Sequence, residues 1–322
     1  MYYDARIIRI DILLTPAKEA SAINRRTFLK LGGISTLCSL FAPRLVRRAA
    51  AQSDQPNYWV GSKYFIQDTV ETSDLPERIW ARINGAWHVY PSRELPEAFV
   101  DWNLSSRVGM LQDMLNGVMP SHYDGPHNAA VATYSRFGRG DSEFQVNNAY
   151  KGMGMVPKPD RIEEVIDRLK MTEGHTLNAK VQILIDNYSD ETIWDRSKQG
   201  SLELYSSSAF ETHSFKNQMR NPISTVAFLD STSYELRTIT RLLHHNDPTL
   251  SEDERNMLEY INAVHAYFHG GSTDNIVAVY YVIEVFDNSP GPSHAGHRVV
   301  PPLDRSRGAS LPKGRKPEAL GY

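Results

Sequence analysis

An α+β fold, one globular domain with mixed helices and a mainly antiparallel or mixed sheet, is predicted by three features of this sequence. Glu252 to His269 carries a helical apolar pattern, opens on Ser251 with Glu254 three residues later, the spacing of a capping box, and stops at Gly270-Gly271. Ile276 to Phe286 is a long apolar run rich in Val, Ile and Tyr, bounded by turn formers, which describes a central strand covered on both faces. Between and before these segments there is neither a regular strand–helix–strand alternation nor an internal repeat, which argues against a doubly wound parallel sheet. A composition of 41% hydrophobic, 23% charged and 10% aromatic residues in a chain of 322 is that of a globular protein.

The remaining elements follow from local signals. Residues 52–74 read as an irregular lead-in holding Tyr58, Trp59, Tyr64 and Phe65. Asp74 as cap and Pro76 in the first turn predict a helix over Leu75 to Asn84. A second helix is predicted over Leu95 to Asn116, where Phe99, Trp102, Met110, Met114 and Leu115 recur at roughly helical spacing before Gly117. Strands are expected over Ala129 to Phe137 and Phe144 to Ala149, divided by the turn-prone Gly138-Arg139-Gly140-Asp141. Pro159 to Lys170 reads as a helix with Ile162, Val165, Ile166 and Leu169 on one face. Val181 to Ile185, Leu202 to Tyr205 and Ser224 to Leu229 read as strands. Tyr234 to His244, with Leu236, Ile239, Leu242 and Leu243, reads as a helix. Residues 288–322 hold six prolines and six Lys and Arg against two acids, the composition of an extended basic tail.

The most specific motif is Asn24-Arg25-Arg26-Thr27-Phe28-Leu29-Lys30. It resembles the twin-arginine export consensus. A weakly hydrophobic stretch from Leu31 to Phe41 follows, and then Ala49-Ala50-Ala51, small residues suited to signal peptidase, with cleavage between Ala51 and Gln52. Arg44, Arg47 and Arg48 lie between the apolar stretch and the cleavage site, a placement that disfavours the general secretion route. The expected domains are therefore a signal over residues 1–51, a globular body over 52–287 and the tail over 288–322. What the resemblance implies is a periplasmic or secreted protein that is carried across the membrane already folded by the twin-arginine machinery.

Removal of the signal changes what chemistry the chain can hold. The full chain has 35 Lys and Arg and 38 Asp and Glu; residues 1–51 take 9 and 3 of these, leaving 26 against 35, a net charge of −9. Such an acidic surface argues against nucleic acid, whose phosphates need basic partners. The only cysteine, Cys38, leaves with the signal, so the mature chain has no disulfide, no thiolate nucleophile and no cysteine-ligated cofactor. The longest uncharged apolar run, Leu31 to Pro43, has 13 residues, short of the roughly 20 that cross a bilayer, so no permanent membrane span is expected.

Two places in the mature chain invite chemistry. His265 and His269 stand four apart on the strongest helix, so both imidazoles point the same way, the arrangement of a transition-metal pair. Further ligands would come from His244-His245, His122, His127, His213 or Glu284; the alternative is two helix-flank histidines with no ligand. Glu284 interrupts the apolar run of the central strand and should have a partner, a shifted pKa or an open cavity, unless it ends an edge strand in water. Ser293-His294-Ala295-Gly296-His297 reads as a solvated loop. No Gly-x-Ser-x-Gly elbow and no dinucleotide loop is present. Three function classes stay open: a periplasmic enzyme or redox subunit with a metal or organic cofactor, a cofactor-free accessory subunit docking a periplasmic partner through the basic tail, and a hydrolase with a triad built from distant residues.

Overall fold

A computed structural model describes residues 57–118, 125–135, 144–292 and 294–302, all within one compact unit. The export segment, with Arg25, Arg26, Ala51 and Gln52, lies outside the described residues, as do Cys38, His122, the turn at 138–141 and the tail beyond residue 302. In chain order the elements are β1 (Trp59–Val60), β2 (Tyr64–Phe65), β3 (Val70–Glu71), β4 (Arg78–Ile83), β5 (Ala86–Pro91), α1 (Glu97–Leu115), β6 (Asn128–Tyr134), β7 (Val146–Gly152), β8 (Gly154–Pro157), α2 (Ile162–Met171), α3 (Leu177–Tyr188), β9 (Trp194–Glu203), α4 (His213–Arg220), β10 (Ile223–Ala227), β11 (Tyr234–Leu243), α5 (Glu252–His269), β12 (Ile276–Asp287) and β13 (His297–Val300).

The architecture is the expected α+β one. Its centre is an eight-stranded antiparallel sheet in the order β7-β6-β10-β11-β12-β9-β8, with β13 also on β12. The sheet is curled, so that Lys151 of β7 reaches Glu203 of β9 at 2.5 Å although the two strands stand far apart in the strand order. Small sheets β1-β2 and β3-β4-β5 lie outside it. No helix among the described residues is long and apolar enough to cross a membrane.

Several elements fall where the sequence places them: α1, α2, α5, β6, β7, β10 and β12. Ser251 caps α5 through Glu254 N, and the Glu254 side chain returns to Ser251 N. Met257, Leu258 and Ile261 of α5 are buried, and so is almost all of β12 up to Val282.

Others differ, each for a physical reason. The segment expected as a helix over Leu75 to Asn84 is strand β4: Ile79 and Ala81 are fully buried and alternate with Arg78, Trp80 and Arg82. Asn84-Gly85, both at positive φ, then make the two-residue turn into β5. Val181 to Ile185 is the middle of α3. Thr176 caps that helix through Ala179 N, and Val181, Leu184, Ile185 and Tyr188 form its buried face at spacings of three and four. Tyr234 to His244 is not a helix but strand β11. It lies between β10 and β12. Tyr234, Leu236 and Thr238 are buried and alternate with Glu235 and Arg237, but from Thr238 to Leu243 every residue is buried, so Leu236, Ile239, Leu242 and Leu243 also fit a helical stripe. Strand β9 begins at Trp194, eight residues before the expected start at Leu202. Residues 297–300, assigned to the tail by composition, are β13 and pair with β12.

Two buried arginines tie helices to the rest of the fold. Arg241 of β11 donates to Glu254 of α5 at 2.8 Å, with side chains 7% and 5% exposed. Arg107 of α1 is buried without a carboxylate. Its guanidinium donates to Asn103 Oδ1 and to the carbonyls of Pro126 and Met153, and lies over the Tyr188 ring.

Candidate functional site

A polar cleft of about 620 Å³ opens where four stretches meet: Pro76 ahead of β4, the β5–α1 connection, the residue after β8, and the turn that leads into β9 with the first residues of that strand. Local sequence builds its wall. Asp190 accepts from Thr192 N at 2.9 Å and so caps a short 3₁₀ turn over Glu191–Ile193. Asp195 accepts from Ser197 N and Ser197 Oγ at 2.7 and 2.6 Å, a side-chain turn of the kind aspartate favours. Residues 196–198 find no partner on β8, because Asp195 pairs with Val156 while Gln199 pairs with Met155. The bulge is pinned from the other side by Leu95 N on Arg196 O at 2.8 Å, and Arg93 N is held by Val282 O at 3.1 Å.

The charges of the cleft are unevenly paired. Arg196 reaches Glu191 at 3.7 Å, and Asp195 is bound by Lys198. Burial opposes ionisation of Asp195, but Lys198 and Ser197 outweigh it and hold the carboxyl below its usual range. Arg93 and Lys158 line the cleft, are exposed, and have no carboxylate partner among the described residues; Glu94 is likewise unpaired. Trp194 is 2% exposed, stacks on Tyr188 at 5.0 Å, and its indole Nε1 finds no acceptor among the described residues. Beneath the cleft, Lys198 lies 5.9 Å from the Tyr281 ring, whose phenol is held neutral, its pKa driven up by burial first and by Glu254 second. Two exposed cations without carboxylate partners among the described residues give the cleft the charge that suits a carboxylate or phosphate.

His265 and His269 do come together, with ring centroids 5.0 Å apart. Both imidazoles sit below the usual histidine range, through burial first and, for His269, through His265 second. His269 is nonetheless exposed along one side. Among the described residues no group of three or more His, Cys, Asp or Glu stands ready for a metal. The other histidines have their own places. His244 stacks on His245 at 4.5 Å, and its Nδ1 accepts from Asn246 N, while His213 opens α4.

Glu284 has the partners its position demanded, Arg237 at 3.4 Å and Arg298 at 3.0 Å. Its strand is not an edge strand, since β12 has neighbours on both sides. His294 Nδ1 meets Asp287 at 2.8 Å, but no serine or threonine hydroxyl among the described residues hydrogen-bonds that ring.

The cleft residues Arg93, Lys158, Trp194, Asp195, Arg196 and Ser197 were not singled out in the sequence. Asp195-Arg196-Ser197 alone carries a local signal, that of an aspartate-capped turn.

No family model matches this chain, and no curated protein matches it. Among solved structures, HupZ of Group A Streptococcus, bearing V5 and hexahistidine tags, aligns with 58% of this chain and 94% of its own, at 14% identity and a TM-score of 0.30. A protein from Clostridium acetobutylicum aligns with 55% of this chain and 87% of its own, at 10% identity and a TM-score of 0.25; it is described as related to general stress protein 26 of B. subtilis, of the pyridoxinephosphate oxidase family. Likenesses this distant bear neither on fold nor on function.

Proposed function

We propose that the protein is an exported domain that binds a small anionic ligand, an organic cofactor or metabolite carrying a carboxylate or phosphate, in the cleft between the β5–α1 connection and the start of β9. The observation that carries this reading is the pair Arg93 and Lys158, cations without carboxylate partners among the described residues, on a cleft that Trp194 also lines. Its volume of about 620 Å³ lies within the range of small-molecule sites, which run from about 300 to 1,000 Å³. Cytoplasmic loading before folded export fits such a ligand.

The test is calorimetric titration of the mature protein with inorganic phosphate, a nucleoside monophosphate and succinate, together with native mass spectrometry for a co-purified small molecule. We expect at least one ligand to bind, and Arg93→Glu with Lys158→Glu to weaken it more than about tenfold, some 1.4 kcal/mol. No ligand by either method, or binding indifferent to both reversals, would sink the reading. Export itself is tested by replacing Arg25 and Arg26 with lysine; an unchanged cell fraction of the mature protein removes it.

A transition metal at His265 and His269 is a second reading, supported by the 5.0 Å ring separation and by the neutral state of both imidazoles. It needs ligands from outside this pair, and metal analysis of untagged protein that finds less than about a tenth of an equivalent would end it. Docking of a periplasmic partner through the basic tail is tested by deleting residues 303–322 and following co-purification.

A further inference from the structure

The face of the central sheet turned away from α5 carries a polar cluster. In β9, Gln199, Ser201 and Glu203 alternate with Lys198, Gly200 and Leu202, so they share one face of the strand. A side chain at Gly200 would meet Ile261 of α5, which puts Gln199 on the opposite face. The sheet register sets Tyr280 of β12 beside Gln199, and Thr240 of β11 beside Tyr280. Above them α4 brings Gln218, whose Nε2 donates to Ser224 Oγ at 3.2 Å; Thr240 Oγ1 donates to the same oxygen at 2.8 Å. Gln199, Gln218, Thr240 and Tyr280 are all 0% exposed.

The cover over this cluster is tied down. Gln67 Nε2 donates to the carbonyls of Gln218 and Thr240 at 3.0 and 3.1 Å, and Gln67 Oε1 accepts from Leu242 N at 2.7 Å, so one side chain holds α4 against β11. Three other atoms of the cluster have no hydrogen-bond partner among the described residues: Gln199 Oε1, Gln218 Oε1 and Tyr280 Oη. Each of the two amides already spends its nitrogen, Gln199 on Met155 Sδ at 2.8 Å and Gln218 on Ser224. Turning either amide over would only trade an unmet oxygen for an unmet nitrogen donor. Burial keeps the Tyr280 phenol protonated; Gln218 lies near enough to oppose that effect, and Glu203 adds to it. The three atoms therefore offer one donor and two acceptors. Buried polar atoms in folded proteins are nearly all bonded, either to protein or to internal water.

We propose that Gln199 Oε1, Gln218 Oε1 and Tyr280 Oη bind an internal water molecule between α4 and the sheet. The water gives one hydrogen to each amide oxygen and takes the phenol hydrogen on a lone pair, and about three bonds is the usual number for a buried water. A cation is a poorer fit, because the phenol hydrogen would face it. The water joins α4 to β9 and β12, and the Gln67 clamp slows its exchange with solvent.

The experiment is nuclear magnetic relaxation dispersion of water oxygen on the mature protein, which counts water molecules held for longer than the protein takes to tumble. The unmodified protein should hold such water. Gln199→Met with Gln218→Met, which keeps side-chain length and removes both amide oxygens, should lower the count by one molecule. A count unchanged in the double variant overturns the proposal. Where that variant does not fold, Tyr280→Phe decides by the sign of its effect. A phenol bonded to water loses that bond with its oxygen, so Tm should fall by a few degrees, whereas a phenol without a partner loses only a buried polar group. A raised or unchanged Tm for Tyr280→Phe therefore overturns the proposal too. A crystal structure separates water from a direct contact: density within hydrogen-bond distance of all three atoms is expected, and Tyr280 Oη bonded straight to Gln218 refutes the proposal.

Discussion

Gly200 sits in the middle of β9, directly beneath α5, and the space above it can be measured. A methyl group added there would lie 2.5 Å from Ile261 Cδ1, 3.0 Å from Ile261 Cγ1 and 3.1 Å from Val156 Cγ2. Carbon atoms in contact prefer about 3.5–4.0 Å, so Gly200→Ala forces a move of up to about 1 Å. The nearest atom is the end of a side chain, which can yield in part, but Ile261 and Val156 are both buried, at 5% and 0% exposure. Overpacking of this kind costs roughly 1–3 kcal/mol, and alanine returns about 0.4–1 kcal/mol by restricting the unfolded chain. The net loss should be about 1–2 kcal/mol, a fall in Tm of about 2–8 °C for a domain of this size. Urea and thermal unfolding of the mature protein measure it. Ile261→Val removes the atom at 2.5 Å and on its own costs roughly 0.5–1.5 kcal/mol. If the overlap is the cause, the double variant should be more stable than the sum of the singles predicts, by about 1 kcal/mol. Additivity within about 0.3 kcal/mol, or a raised Tm for Gly200→Ala, would refute the packing argument.

The remaining predictions concern charge and chain ends. Arg241→Met strands the Glu254 carboxylate at 5% exposure and should lower stability by about 3–5 kcal/mol, while Arg241→Met with Glu254→Leu should recover a large part of it in the same unfolding assay. His244 is pushed down from 6.5 to about 4, by burial first and by His245 second. The unfolded chain therefore binds the proton more readily, so stability present above pH 6.5 is lost as pH falls towards 4, by at most about 3 kcal/mol. His244→Gln should flatten the unfolding free energy across that window, and an unchanged slope would count against this assignment. Truncation after Pro302 should leave Tm within about 1 °C, whereas truncation after Asn288 removes β13 and the Arg298–Glu284 contact and should lower it by several degrees.

How much of this could be read from the chain alone depends on whether a signal is local. The capping box at Ser251 and Glu254, the stripe Ile162, Val165, Ile166 and Leu169, and the apolar run of β12 each state their structure within a few residues. The Asn84-Gly85 turn is an equally local signal, while Asp74 and Pro76 alone suggest a helix where β4 stands. Strand β11 could not be read from end to end, because only Tyr234 to Thr238 alternates; from Thr238 to Leu243 both faces are covered and the leucines fit a helical spacing as well. Nor could the cleft. Arg93, Lys158 and Trp194 lie on three stretches far apart in sequence, and none belongs to a motif until the bulge at residues 196–198 and the β5–α1 connection bring them to one opening.

By itself, then, the sequence determined the α+β class, the long helices and the central strand, and the acidic, cysteine-free character of the chain after residue 51. Periodicity, capping and composition are properties of neighbours along the chain. Only the tertiary structure decided that Glu284 is held by two arginines, that His265 and His269 have no third ligand beside them among the described residues, and that Arg93 and Lys158 line one cleft. Those are distances between residues that the curl of one sheet sets, and no window of the sequence contains them.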